Sequence, residues 1–173
     1  LHRVFAQDLN GTTFFLRPHC EDAASECDAF TVHNPQTLRT DRMKTGDTLD
    51  VDIVISNPEK KHIASVRSWL KYDQGVIKGV SIEPIESAFP VKTPGETDFD
   101  ATQGFAMIQI AAKEKKEPHT DRIVVARVKF SVLKELPAGT VISFYDVQPT
   151  GHTTIVAGGT SEQQYLLDIE PPG

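Results

Sequence analysis

No apolar run in this sequence approaches the roughly 20 residues needed to cross a bilayer. No stretch sustains the 3.6-residue apolar spacing of an amphipathic helix, so helix is expected to be scarce. The chain also lacks the HExxH, GxSxG, P-loop and dinucleotide-binding glycine patterns that mark common catalytic and cofactor sites. Its six histidines (His2, His19, His33, His62, His119 and His152) are scattered, almost all in expected loops. The expectation is therefore a non-enzyme with no cofactor and no metal site. Basic residues are in the minority, giving a net charge of −6, and this removes the electrostatic footprint of a nucleic-acid binder.

Cysteine is scarce as well. Cys20 and Cys27 are the whole complement, seven positions apart in a polar stretch with only His19 close by. A structural metal site normally takes four ligands. A local disulfide is the expectation, and it implies an oxidising, extracellular setting. Two free thiols, or a metal held with His19, are the alternatives. Leu1 follows no initiator Met or signal-peptide pattern, so the expectation is a piece of a longer chain.

What the 173 residues do contain is alternation. Ile63-Ala-Ser-Val-Arg-Ser-Trp-Leu-Lys-Tyr-Asp73 places Val66, Ser68, Leu70 and Tyr72 on one side of a pleat. Ser65, Arg67, Trp69 and Lys71 fall on the other. Leu49, Val51, Ile53 and Ile55 alternate with outward Asp50 and Asp52, and Ala106, Ile108 and Ile110 with outward Phe105, Met107, Gln109 and Ala111. In 123–132, parity buries Val124, Ala126, Val128, Phe130 and Val132 and turns out Val125, Arg127 and Lys129.

Further strands are expected at 13–18, 76–83, 141–145 and 163–169, with shorter ones near 30–32 and 89–92. Gly-, Pro- and Asn-rich turns separate them. The fold class predicted is all-β: a two-sheet sandwich of about nine strands with little helix, in one domain. Residues 1–12 read as a lead-in or linker, 13–170 as the domain, and about 19–43 as a Cys-bearing insertion. Residues 113–122 read as a charged tongue between strands.

Trp69, lying between two cations on the solvent side of its strand, is the least expected placement in the chain. A large aromatic there is a favoured interface anchor. With Phe105, Met107, Arg67, Lys71, Arg127 and Lys129 it reads as a docking face for an acidic partner with an apolar centre. The alternative is that the tongue or the insertion covers Trp69 and packs on it. The acidic groups Asp98/Asp100 with Glu96, and Asp47/Asp50/Asp52, lack the spacing of a known calcium loop and read as solvated carboxylates.

Several motifs together carry a family resemblance. Thr13-Phe-Phe-Leu-Arg-Pro18, Gly46-Asp-Thr-Leu-Asp-Val-Asp-Ile53 and the segment ending Leu70-Lys-Tyr-Asp73 resemble bacterial cohesin domains. Val76 to Pro84, Ser87-Ala-Phe-Pro90, Val124-Val-Ala-Arg-Val-Lys-Phe130 and Ala138-Gly-Thr-Val-Ile-Ser-Phe144 are similar too, and the resemblance spans roughly 13–170 apart from the Cys-bearing insertion. It implies a nine-stranded jelly-roll sandwich, non-catalytic and displayed on extracellular scaffold proteins.

The resemblance further implies a docking face for a dockerin, a small calcium-binding helical module, built from the third, fifth, sixth and eighth strands. Carried onto this chain, the partner-binding residues are Ser65, Arg67, Trp69, Lys71, Phe105, Met107, Gln109, Val125, Arg127 and Lys129. Where the family's dockerin binders carry Asn and Asp, this chain has Ser65 and Arg67. Two other readings stand beside docking: a carbohydrate-binding module taking a polysaccharide, and a structural spacer domain of a surface adhesin.

Overall fold

The computed structural model describes residues 12–19, 37–39, 44–85, 87–93, 95, 97–135, 140–145, 154–157 and 163–166. The expected lead-in up to residue 11, a strand at 30–32, Cys20 and Cys27 lie outside these residues, as do His2, His33 and His152. Every described element is a strand: β1 (Thr13–Pro18), β2 (Thr37–Arg39), β3 (Thr48–Ser56), β4 (Ile63–Tyr72), β5 (Ile77–Pro84) and β6 (Val91–Lys92). They continue with β7 (Asp98–Asp100), β8 (Phe105–Ala111), β9 (Arg122–Val132), β10 (Thr140–Tyr145), β11 (Thr154–Ala157) and β12 (Gln163–Leu166).

The strands form two sheets. One has the order β1-β3-β9-β5. The other is centred on β4, which pairs with β8 on one edge and with β10 and then β11 along the other. β6 and β7 follow each other along the far edge of β8 in the same way, and β2 and β12 lie against β10 and β11. Broken strands thus share positions, leaving four positions in one sheet and five in the other. The all-β two-sheet sandwich is as expected, with several positions split into two short segments.

Alternation builds the core between the sheets, since every second side chain of a central strand points inward. Leu16, Val51, Ile53, Ile55, Val128 and Phe130 from the first sheet meet Val66, Leu70, Ala106, Ile108 and Ile142 from the second, all essentially inaccessible. Aromatic rings bridge the layers. Phe14 on β1 lies 5.5 Å from Phe144 on β10, and Phe130 on β9 lies 5.1 Å from Tyr72 on β4. Tilted ring pairs of this kind add to the area they bury.

Three features depart from simple alternation. Ile53 pairs with Ala126 and Val54 with Val124, so Val125 is the extra residue of a β-bulge. The bulge sends Val125 into the core at 0% exposure and leaves Val124 half-buried, which corrects the parity reading of both. In β5 a second irregularity between Gly79 and Ser81 leaves Val80 exposed. The third is β7: Asp98-Phe-Asp100 is a strand on the edge of β8, with Phe99 turned inward against Phe130 and Tyr72.

Part of the expected insertion belongs to the sandwich itself. Thr37–Arg39 pairs with β10, and the His19 backbone N–H donates to the Asp50 carbonyl at 2.8 Å.

Candidate partner-docking face

Cross-strand pairing arranges the outward residues of the second sheet in rows. Tyr145, Trp69, Met107 and Asp98 form one row across β10, β4, β8 and β7. On one side of it runs Ser143–Lys71–Phe105–Asp100. On the other, Arg67 stands opposite Gln109, with Thr154 next to it in register, and beyond that come Ser65 and Ala111. Ser65, Arg67, Trp69, Lys71, Met107 and Gln109 are all half-buried, as expected for an outer face.

Trp69 sits in a cluster of rings. Its centroid lies 5.2 Å from Phe105 in an edge-on arrangement and 6.5 Å from Tyr145, while Phe105 and Tyr145 are 4.8 Å apart. Phe105 is therefore on the outer face but only 7% exposed, covered by its neighbours; it supports Trp69 and offers little surface of its own. Lys71 closes that side. Its ammonium lies 4.5 Å from the Phe105 ring centroid and donates to the Gln103 carbonyl. Tyr145 was missed as a member of the face, because its position depends on the pairing of β10 with β4.

The charged tongue does not cover Trp69. It is tied to the opposite end of β4: the Ile63 N–H donates to the Pro118 carbonyl, and Asn57 donates to the carbonyls of Asp121 and Thr120. His119 stacks on His62 at 4.3 Å at the same end. Ile63 and Trp69 are six residues apart along an extended strand, about 20 Å.

Arg127 and Lys129 do not belong to this face. They lie on β9, which pairs with β3 and β5 in the other sheet, so the sandwich separates them from Trp69. Sequence parity correctly turned them outward but carried no information on which sheet they turn from. The eighth strand position is β10 followed by β11, not β9. With Val125 in the core, none of the three β9 residues joins Trp69.

On the outer face of the first sheet, Arg17, Asp52 and Arg127 lie in one cross-strand row. Asp52 was expected to be solvated. It is 2% exposed, with His19 Nδ1 at 3.0 Å, Arg127 Nε at 3.5 Å and Arg17 Nε at 3.7 Å. A buried carboxylate needs such partners, because desolvating it alone is costly. Asp100 has a local role: its Oδ1 accepts the Thr102 and Gln103 N–H groups, fixing the turn into β8.

The outer face of the second sheet offers apolar contact area and hydrogen-bond donors, a combination suited to docking. Trp69 and Tyr145, the half-buried rings of this face, are inclined only 28° to each other at 6.5 Å, whereas Phe105 is inclined 62° and 53° to them and is 7% exposed. Two rings supply a sugar with little stacking area, and the polysaccharide reading gains no support.

A family model described as the cohesin domain matches residues 37–161 of this chain. Among solved structures, the chain is similar to the cohesin module of a Clostridium perfringens family 33 glycoside hydrolase. Identity is 12% and the TM-score 0.54, with 76% of this chain and 87% of that one covered. It is also similar to the Coh-OlpA–Doc918 type I cohesin–dockerin complex of Clostridium thermocellum, at 16% identity and TM-score 0.53, covering 75% and 89%. A third is the sixth cohesin of Acetivibrio cellulolyticus scaffoldin B, in complex with a Cel5 dockerin, at 16% identity and TM-score 0.53, covering 74% and 87%. No curated protein matches.

Proposed function

The chain belongs to the cohesin domain family, whose modules are non-catalytic, and we propose that it docks a dockerin-type module through the outer face of β10, β4, β8 and β7. The observation that carries this reading is the Tyr145–Trp69–Met107 row: an apolar strip at the centre of a sheet, half-buried, with no described segment lying over it. Aromatic anchors of this kind, surrounded by polar groups, are typical of interface centres.

The polar groups around the strip are Arg67 and Gln109 on one side and Lys71 on the other, with Ser65 and Asp98 farther out. Arg127, Lys129 and Val125 are not part of the proposed site. The setting we propose is an extracellular or cell-surface assembly, where a Cys20–Cys27 disulfide persists.

The test is binding to purified dockerin modules by calorimetry, comparing the wild-type chain with Trp69→Ala. The expected result is a measurable complex for the wild type and loss of at least about 30-fold in affinity for the variant. The variant stays folded with a modestly lower melting temperature, because the Phe105 and Tyr145 rings lose their Trp69 contact. Equal affinity for both proteins would place the docking surface elsewhere.

A further inference from the structure

We propose that Arg67 selects the partner: the module that docks on this face presents a carboxylate next to the apolar side chain that seats on Trp69. This rests on the docking reading above and adds the chemistry of the surface recognised.

The cations first grouped with Trp69 are not equivalent. Arg127 and Lys129 lie on the other sheet. Lys71 shares the face, but its ammonium is already bonded to the Gln103 carbonyl and held over Phe105. Arg67 has no ion pair, hydrogen bond or ring contact among the described residues, and neither has the side chain of Gln109, which stands directly opposite on β8. Among the described residues, the pair leaves a guanidinium and a primary amide unengaged, side by side. An unengaged guanidinium suits a planar carboxylate, which it binds through two parallel hydrogen bonds.

Position sets the rest. Arg67 and Trp69 are alternate residues of one strand, so their backbones are about 7 Å apart on the same face. At the far end of the Trp69 row, on the edge strand, Asp98 is exposed. Arg67 therefore flanks the apolar strip beside Trp69, and the Asp98 carboxylate closes the end of the strip at the edge strand. A carboxylate arriving on the Asp98 side is repelled, and one arriving at Arg67 is bound. Charge order thus fixes the orientation of the partner as well as its type. The whole chain carries a net charge of −6, which makes an acidic partner unfavourable at long range and the local cation decisive at contact.

The experiment is calorimetry on a panel of purified dockerin modules with differing contact residues, using wild type, Trp69→Ala, Arg67→Ala, Arg67→Lys and Arg67→Glu at low and high salt. Melting temperatures confirm that each variant is folded. The tightest binders are expected to carry Asp or Glu beside the apolar contact. Affinity should fall about tenfold for Arg67→Ala and about 100-fold for Arg67→Glu, with Arg67→Lys retaining part of it. Changing the partner's carboxylate to Lys should restore binding to Arg67→Glu.

If Trp69→Ala abolishes binding while Arg67→Glu binds as wild type, the inference is overturned and docking stands. If no module binds the wild type, or Trp69→Ala binds unchanged, the docking reading falls and the inference falls with it.

Discussion

His19 Nδ1 lies 3.0 Å from Oδ2 of Asp52, on the side of the sandwich opposite Trp69. Asp52 is central to its sheet, and Arg17 from β1 and Arg127 from β9 approach it from either side. The group ties three strands together through one buried carboxylate. Asp52→Ala is expected to lower stability by on the order of 2 kcal/mol. That is below the figure for a fully buried pair, because the Arg17 and Arg127 side chains are 20% and 32% exposed and keep some hydration. Urea denaturation measures the change, and binding to any docking partner should not change.

Gly79 leaves room for the Phe99 ring. A Cβ at that position would overlap the ring, which packs on Phe130 and Tyr72 and anchors the edge strand β7. Gly79→Ala is expected to cost about 1–3 kcal/mol through displacement of Phe99. The double change Gly79→Ala with Phe99→Leu should recover part of it, and thermal melts of the two proteins read the difference.

Tyr72 is buried in the core, and burial, with the Asp100 charge adding to it, holds its hydroxyl above the ordinary value of 10.0. An acid whose pKa is raised by folding contributes stability that is fully present below its unfolded value. That contribution is lost as pH rises through the folded value. Stability should therefore decline above pH 10.0 with a component that Tyr72→Phe removes, as followed by denaturant titrations on both sides of that pH.

Arg127→Glu and Lys129→Glu are expected to leave partner affinity within about twofold of wild type, since a sandwich core lies between them and Trp69. Calorimetry on the double variant checks the division of cations between the two sheets. Arg127 also contacts Asp52, so its melting temperature should fall even though binding does not.

The sequence made the inward residues of β4 and β8 legible, along with the outward placement of Ser65, Arg67, Trp69 and Lys71, because two-residue alternation is a local property. It did not reveal that Val125 is buried. A bulge against β3 adds one residue and reverses parity, and no single-residue signature marks it. Strand pairing was equally hidden: Arg127 and Lys129 look like outward cations in either sheet. The burial of Asp52 depends on Arg17, His19 and Arg127 converging from three separate parts of the chain. Tyr145 joined the Trp69 cluster for a similar reason, through the register of β10 against β4.

Trp69 is the only tryptophan in the chain, so its emission reports on the proposed face alone. The most direct measurement is that emission, with acrylamide quenching, during titration with purified dockerin modules that themselves lack tryptophan. Docking on this face is expected to shift the emission to shorter wavelength and protect Trp69 from the quencher, saturating with the calorimetric stoichiometry. A bound dockerin that leaves both emission and quenching unchanged would contradict the account.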